Sequence, residues 1–389
     1  MKPGTAAIAG GGIGGLAAAL SLSDRGWRCH VVERRPEPSE AGAGIQIGPN
    51  GMRILQRLGV AEALAPTAGI PQSIRMREGY SGAVLTELPL GDWIDHRHGA
   101  PYWTAHRADL HAALMSRVVQ RGNIEVSCGF DVTRIDATAN DVTVHAADGR
   151  VAEAGILIGA DGINSSIRRL GFGSFDLSPT GRVAARAVIT NDRAVTQAFG
   201  HHVGVWLAAG AHVVQYPVRG GSELALVVVT QDASRPVGWN TSVDAASVLA
   251  KVTGLAPGLR ALLERASAWR QWSLVTAPTL QSWSLDRVVL LGDATLPIMP
   301  FLAQGAVMAL EDAEAIANAL DTEINHAAAF AAYETARRPR KRRVQAAAAR
   351  NGKIYHLPGP LAAARNLTLR TVPGARLMAS YDWLYGHKP

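Results

Sequence analysis

The residues able to do chemistry gather at three glycine-containing turns. The first is Gly10-Gly11-Gly12-Ile13-Gly14-Gly15, which has the G-x-G-x-x-G spacing. That spacing allows a tight turn at Gly10, bare backbone against a pyrophosphate at Gly12, and close helix–strand packing at Gly15. A helix beginning here turns free N–H groups and the positive end of its dipole toward phosphates. Glu33 lies eighteen residues past Gly15. A carboxylate there can accept both hydroxyls of an adenosine ribose, and Arg34 beside it adds a contact at the same end. The second and third turns are Gly159-Ala160-Asp161-Gly162 and Gly292-Asp293, each following an apolar stretch. Asp293 can accept a hydrogen bond from a ribityl hydroxyl, a group that FAD has and NAD lacks. Gln304-Gly305-Ala306 then opens a helix whose dipole can stabilise negative charge on a flavin pyrimidine ring. One such turn is a common structural feature; three in this order point to FAD.

A second set of residues could face a substrate. Ala211–Pro217 reads as a strand, and His212 and Tyr216, four apart, project from one face with Val214 between them. An imidazole titrates near pH 6.5, so His212 can take the proton of a substrate hydroxyl while Tyr216 orients it. The plainer alternative is a core histidine and a packing tyrosine. Arg186 can pair with a substrate carboxylate or make a surface salt bridge.

The elements that must position these groups are legible. Residues 5–9, a helix from Leu16 to Asp24, and Cys29–Glu33 form a βαβ unit, with Gly26 suited to the helix C-cap. Residues 107–121 read as a helix, and 124–126, 132–135 and 142–145 as a β-meander. Ile156-Leu157-Ile158 and Arg287–Leu291 are short apolar strands suited to burial on both faces. Strands at 183–189, 203–208, 212–216 and 223–230, joined by glycine-rich turns, predict an antiparallel sheet. A helix follows from about Gln304 to Leu320, and the chain from about 325 is Ala- and Arg-rich and helical. The fold class is therefore α/β: a Rossmann-like FAD-binding domain (1–70, 100–175 and 280–330), an inserted antiparallel-sheet substrate domain (71–99 and 176–279) and a C-terminal helical segment (331–389).

Bulk properties narrow the function class. The 389 residues are 48% hydrophobic and 18% charged, an ordinary globular composition. Cys29 and Cys128 are too few for a disulfide framework and have no metal-ligand spacing, so no metal and a reducing, cytoplasmic location are expected. No apolar run reaches the roughly 18–20 residues that span a bilayer, and no cleavable signal pattern opens the chain. Net charge is +7, with a pI near 9.7. The densest basic run, Arg337 to Arg343, reads as a solvated helix face. It lacks the interleaved aromatics of a nucleic-acid site, so neither nucleic acid nor membrane is expected as a partner. An anionic substrate and a doubly anionic cofactor account for the basic balance.

Taken together, GGGIGG, Glu33, HRADLHAAL (106–114), GADGINSSIR (159–168), GDATLPIMPFLAQGAVMALEDA (292–313) and the terminal YDWLYG resemble the class A flavoprotein aromatic hydroxylases of the p-hydroxybenzoate hydroxylase fold. That family includes salicylate hydroxylase, 3-hydroxybenzoate 6-hydroxylase and 6-hydroxynicotinate 3-monooxygenase. The resemblance implies an FAD-dependent monooxygenase that hydroxylates a small aromatic or hydroxy-heteroaromatic substrate, acidic or phenolic, with O2. NADH or NADPH would visit transiently as co-substrate, and the protein would be a monomer or homodimer. Gly10, Gly12, Gly14, Gly15, Glu33 and Arg34 would hold the ADP half, and Arg107 the pyrophosphate or ribityl region. Asp161 and Gly162, with Arg168, would serve both FAD and NAD(P)H; Asp293, Gly305 and Ala306 would hold the ribityl chain and flavin ring. The His212–Tyr216 pair matches a similar pair in relatives' substrate pockets, and Gln46 and Phe301 stand where the hydroxynicotinate-type pattern has histidines. Leu296, Phe301 and Ala185 depart from the family's usual residues and make the pocket more apolar. A flavoprotein that dehydrogenates or epoxidises on the same fold is the alternative.

Overall fold

The computed structural model describes residues 4–37, 44–173, 176–190, 192–232, 238 and 240–388. A six-stranded sheet carries the three turns. Its order is Ser284–Leu285, Val288–Leu290, Ile156–Gly159, Thr5–Ala9, Arg28–Glu33, Ile124–Cys128, all parallel except the first pair. The central strands Thr5–Ala9, Ile156–Gly159 and Val288–Leu290 are almost wholly apolar and buried on both faces. Helix Ile13–Ser23 is buried on nearly every side, wedged beside helix Gly305–Thr322. Alanines and glycines make that possible: a Cβ on Gly14 would lie 3.1 Å from the Ala309 methyl.

Two expectations shift. The first helix starts at Ile13 rather than Leu16, so Gly14 and Gly15 sit inside its first turn. The β-meander is also displaced. Ile124–Cys128 leaves it to pair with Arg28–Glu33 at the edge of the parallel sheet. The meander is Val132–Ala137, Val142–Ala146 and Val151–Ala154 instead. A short alternating strand fits either sheet, so only its pairing partner decides.

An eight-stranded, mostly antiparallel sheet forms the second layer, in the order 241–243, 269–276, 178–190, 223–231, 211–218, 202–208, 73–78, 84–89. One face packs on helices Ala245–Ala250 and Pro257–Glu264 through Val213, Leu226, Val228, Leu259 and Leu263. Residues next to these along each strand point to the opposite face. The other face therefore carries a row Trp272, Ala184, Val229, His212, and beside it Arg186, Val227 and Val214.

Four C-terminal helices close the molecule: His326–Tyr355, Gly359–Thr371, Gly374–Ala379 and Asp382–Tyr385. Among the described residues, no helix is long and apolar enough to cross a membrane. The basic run is not the solvated face that its composition suggests. Arg338, Arg342 and Arg343 reach the surface or near it, but Arg337, Arg340 and Lys341 are buried. The physical reason is a set of buried carboxylates on the neighbouring helix, described below.

Candidate active site

The first turn is built as its spacing demands. Gly10 has φ +110°, and a Cβ there would lie 2.6 Å from the Ala160 carbonyl oxygen. Gly15 packs directly on the Gly10 carbonyl, leaving no room for a side chain. Gly12 is the N-cap of the first helix and offers no side-chain cap, so the N–H groups of the first turn stay free for an anion. Glu33 braces this loop: its Oε2 accepts the Gly11 N–H at 2.7 Å and its Oε1 the Arg35 N–H at 2.9 Å.

A cleft of about 330 Å³ runs from this turn to the other two. Gly10, Gly12, Gly14, Glu33 and Arg34 line one end, and Asp293, Gly305 and Ala306 the other. Arg107, Asp161 and Gly162 also line it; Gly15 does not. Asp161 Oδ2 accepts the N–H groups of Ser166 and Ile167 at 2.6 and 3.0 Å, capping a short helix. Its Oδ1 is buried without a hydrogen-bond partner among the described residues. Arg168 is turned to structural use. Its guanidinium donates to the carbonyls of Ile163, Asp293 and Ala294, tying the second turn to the third. Burial raises the Asp293 carboxyl above the usual carboxylate range, against the pull of Lys341 and Arg107.

These features fit FAD. A carboxylate oxygen sealed from water without a donor costs free energy, on the order of 1–3 kcal/mol, so Asp161 Oδ1 is placed for a donor that the described residues do not supply. Gly305 opens helix Gly305–Thr322 with no capping side chain, no acidic residue in its first turn, and open space where a Cβ would stand. Free N–H groups at one end suit a pyrophosphate, and free N–H groups at the other suit an electron-rich ring edge.

The Gly292-Asp293 turn is held from behind by buried charges. Asp312 Oδ2 accepts the Gly292 N–H at 2.9 Å. Lys341 Nζ donates to the Gly292 carbonyl (2.6 Å), Thr295 Oγ1 (2.5 Å) and Asp312 (2.9 Å). Arg337 bridges Glu311 and Asp312 at 2.6 and 2.8 Å, and Arg340 adds a second bond to Glu311 at 2.9 Å. All three cations come from the basic run, and their carboxylates sit inside the third motif.

Of the ring-facing candidates, the structure brings His212 and Phe301 together. His212 is buried, and its Nδ1 lies 2.7 Å from Nε2 of His356, which caps helix His326–Tyr355. Phe301 and Tyr355 flank His212 at ring-centre distances of 5.5 and 5.4 Å. Arg182 lies over the Phe301 ring at 5.5 Å. Burial first, then His356 and Arg182, push the His212 imidazole well below its ordinary pKa. Tyr216 is buried on the same face, against the backbone of Gly44; burial pushes its phenol up, with Arg186 opposing. Gln46 accepts a 2.7 Å bond from the Tyr102 hydroxyl. Arg186 sits elsewhere on the face, 3.2 Å from Asn240 Oδ1 and over the Trp272 ring.

Sequence reasoning missed His356, Tyr355 and Arg182. His356 is 144 positions from its partner, and no local pattern marks it. Arg182 could have been found from the strand period, since it shares a face with Arg186 and Ala184.

The comparisons agree with this geometry. A family profile described as an FAD binding domain matches residues 4–351. The chain is similar to 3-hydroxybenzoate 6-hydroxylase of Polaromonas naphthalenivorans (strain CJ2), 34% identical over 381 residues, 97% of this chain and 95% of that one. It is also similar to 6-hydroxynicotinate 3-monooxygenase of Bordetella bronchiseptica, 36% identical over 344 residues, 87% and 89% of the two chains. Among solved structures, Klebsiella pneumoniae HpxO complexed with FAD and uric acid superimposes with a TM-score of 0.86 at 26% identity, covering 97% of this chain and 95% of that one.

Proposed function

The chain belongs to the FAD-binding-domain family as an FAD-dependent, NAD(P)H-using monooxygenase of aromatic rings, and from that premise we propose its substrate class and the residues that act on it. The substrate is a small hydroxylated aromatic acid. One observation carries this: Arg182 stands beside the His212 cluster, half-buried, with no carboxylate partner among the described residues. A desolvated guanidinium without a counter-charge is a binding site for a carboxylate. Arg186 already engages Asn240 and Trp272, so it flanks the substrate, and the carboxylate belongs to Arg182.

FAD, when bound and reduced by NAD(P)H, supplies the activated oxygen. Gly10, Gly12, Gly14 and the first helix N-terminus hold its pyrophosphate, and Glu33 with Arg34 the adenosine end. Arg107, Asp161 and Gly162 line its middle. Asp293 receives a ribityl hydroxyl, and the backbone of Gly305 and Ala306 meets the pyrimidine edge. Phe301 and Tyr355 wall the ring in and exclude water. His212 Nε2 takes the proton of the substrate hydroxyl, which makes the ring electron-rich at the carbon to be hydroxylated. Tyr216 orients that hydroxyl, and Gln46, held by Tyr102, adds a polar contact but is not a base. The same proposal divides the chain into an FAD-binding part (1–70, 100–175, 280–330), a substrate part (71–99, 176–279) and a C-terminal segment (331–389). The boundary at 175 and residue 389 fall outside the described residues.

The test is substrate-stimulated NAD(P)H oxidation across hydroxybenzoates, hydroxynicotinates and the matching neutral phenols. Acids should stimulate and neutral phenols should not. Arg182→Met should raise KM for acids about 10- to 100-fold, the worth of a charge-assisted bond, and Arg186→Met much less. Equal stimulation by neutral phenols would sink the reading.

A further inference from the structure

His212 presents a difficulty as a base. It is buried beside a second imidazole and a guanidinium, and each of these disfavours a positive charge on it. His356 is in the same position, pushed to about 4 by burial, Arg182 and Arg365. Its Nδ1 is buried with no partner among the described residues. The pair therefore resists a proton until something changes the local charge. The groups facing the pair are few: Phe301 and Tyr355 as rings, Arg182 over Phe301, and Arg365, whose guanidinium donates to the carbonyls of Ile354 and Tyr355 at 3.0 Å. No carboxylate is among them.

We propose that Arg182 couples anion binding to proton acceptance: the substrate's own carboxylate, seated on Arg182, switches on the His212–His356 pair as a single shared base. This rests on the reading of the substrate as a hydroxy-aromatic acid. The geometry supplies the coupling. The 2.7 Å bond between His212 Nδ1 and His356 Nε2 holds one hydrogen. When that hydrogen sits on His212 Nδ1, Nε2 of His212 has a free lone pair and makes no hydrogen bond to the described residues. The substrate O–H bond breaks, and an N–H bond forms at His212 Nε2. The inter-ring hydrogen shifts toward His356 Nε2, so the positive charge spreads over two rings. The ring oxygen keeps the electron pair, and no other reactant is needed. Neutralising Arg182 removes a cation that disfavours a proton on both imidazoles, so the bound acid pays electrostatically for its own deprotonation. A neutral phenol leaves Arg182 unopposed and the pair unprotonated. His356 thus acts through His212 as a positioning residue, and Arg182 sets specificity beyond its contact with the anion.

The experiment uses the FAD-loaded full chain and benzoate, an aromatic carboxylate with no hydroxyl proton to give. Benzoate binding is followed by the flavin absorbance. The pair is titrated by long-range 1H–15N spectra of the histidine rings, its signals assigned by their loss in His212→Gln. Benzoate should raise the apparent pKa of the pair by about one to two units, the size expected for neutralising a neighbouring charge at an intermediate effective dielectric constant. Arg182→Gln should raise it by a similar amount without benzoate, because a cation has been removed. Arg182→Lys should behave as the native chain. A pair that titrates identically with and without bound benzoate, or in Arg182→Gln, overturns the proposal. Failure of benzoate to perturb the flavin at any concentration overturns the aromatic-acid reading itself, and this inference with it.

Discussion

Glu33 shows how one side chain can serve a loop and a ligand together. Both of its oxygens already accept backbone N–H groups, from Gly11 and Arg35, yet it lines the cleft, and each carboxylate oxygen has a lone pair to spare. Glu33→Ala removes the brace on the glycine turn as well as the acceptor for ribose. Flavin retention after gel filtration should fall, with the dissociation constant for FAD up about 10- to 100-fold, the worth of one or two charge-assisted bonds. An unchanged constant would assign Glu33 to the loop alone. His212→Ala has the opposite signature. It lies outside the cleft, so FAD should stay bound while hydroxylation slows and NAD(P)H oxidation uncouples to hydrogen peroxide. Native coupling in that variant, measured as product formed per NAD(P)H consumed, would remove His212 from the reaction.

At the scale of elements, helix His326–Tyr355 does two jobs about 20 Å apart, given 1.5 Å of rise per residue between Lys341 and the helix end. Lys341 clamps the Gly292 turn, and the final turn delivers Tyr355 and His356 to His212. Asp312 and Lys341 are both fully buried. Removing one partner of a buried pair leaves an uncompensated charge, at a cost of about 3–5 kcal/mol. Lys341→Met should lower the denaturant midpoint correspondingly and also loosen Asp293, so that the purified protein carries less flavin. Full flavin content with an unaltered midpoint would show that Asp312 is satisfied by Arg337 alone. Gly15→Ala tests the other end: with no room for a methyl against the Gly10 carbonyl, the turn must open, and the protein should emerge colourless.

The whole molecule should be acid-labile in two stages. His202, His356 and His387 are each pushed to about 4 in the fold, chiefly by burial. The unfolded chain binds those protons below about pH 6.5 and the folded chain does not, so stability falls as pH drops from about 6.5 toward 4. Glu311 works over a lower window. Arg337 and Arg340 overcome the effect of burial and hold its carboxyl at about 2. Its contribution is present above pH 4.5 and is lost as pH falls toward 2. Urea denaturation at fixed ionic strength should show a decline between pH 7 and 4 and a steeper one below. A flat profile from 7 to 4 would mean that these histidines titrate normally.

The local sequence determined the parts that are made locally. Glycine spacing, apolar strands and the helix start at Gly305 are short-range patterns, so the three turns, the α/β class and the FAD cofactor could be read directly. Motif glycines are legible because backbone sterics at Gly10 and Gly15 permit nothing else. Side-chain partnership is not local. Whether Arg337, Arg340 and Lys341 faced water or carboxylates depended on where helix Gly305–Thr322 lay. Ile124–Cys128 could join either sheet, since an alternating strand specifies a face and not a neighbour. His356 gained meaning only when the end of a thirty-residue helix met a strand 144 positions earlier. Charge and proton affinity depend on what surrounds a group at a few ångströms, and only the tertiary structure decides that.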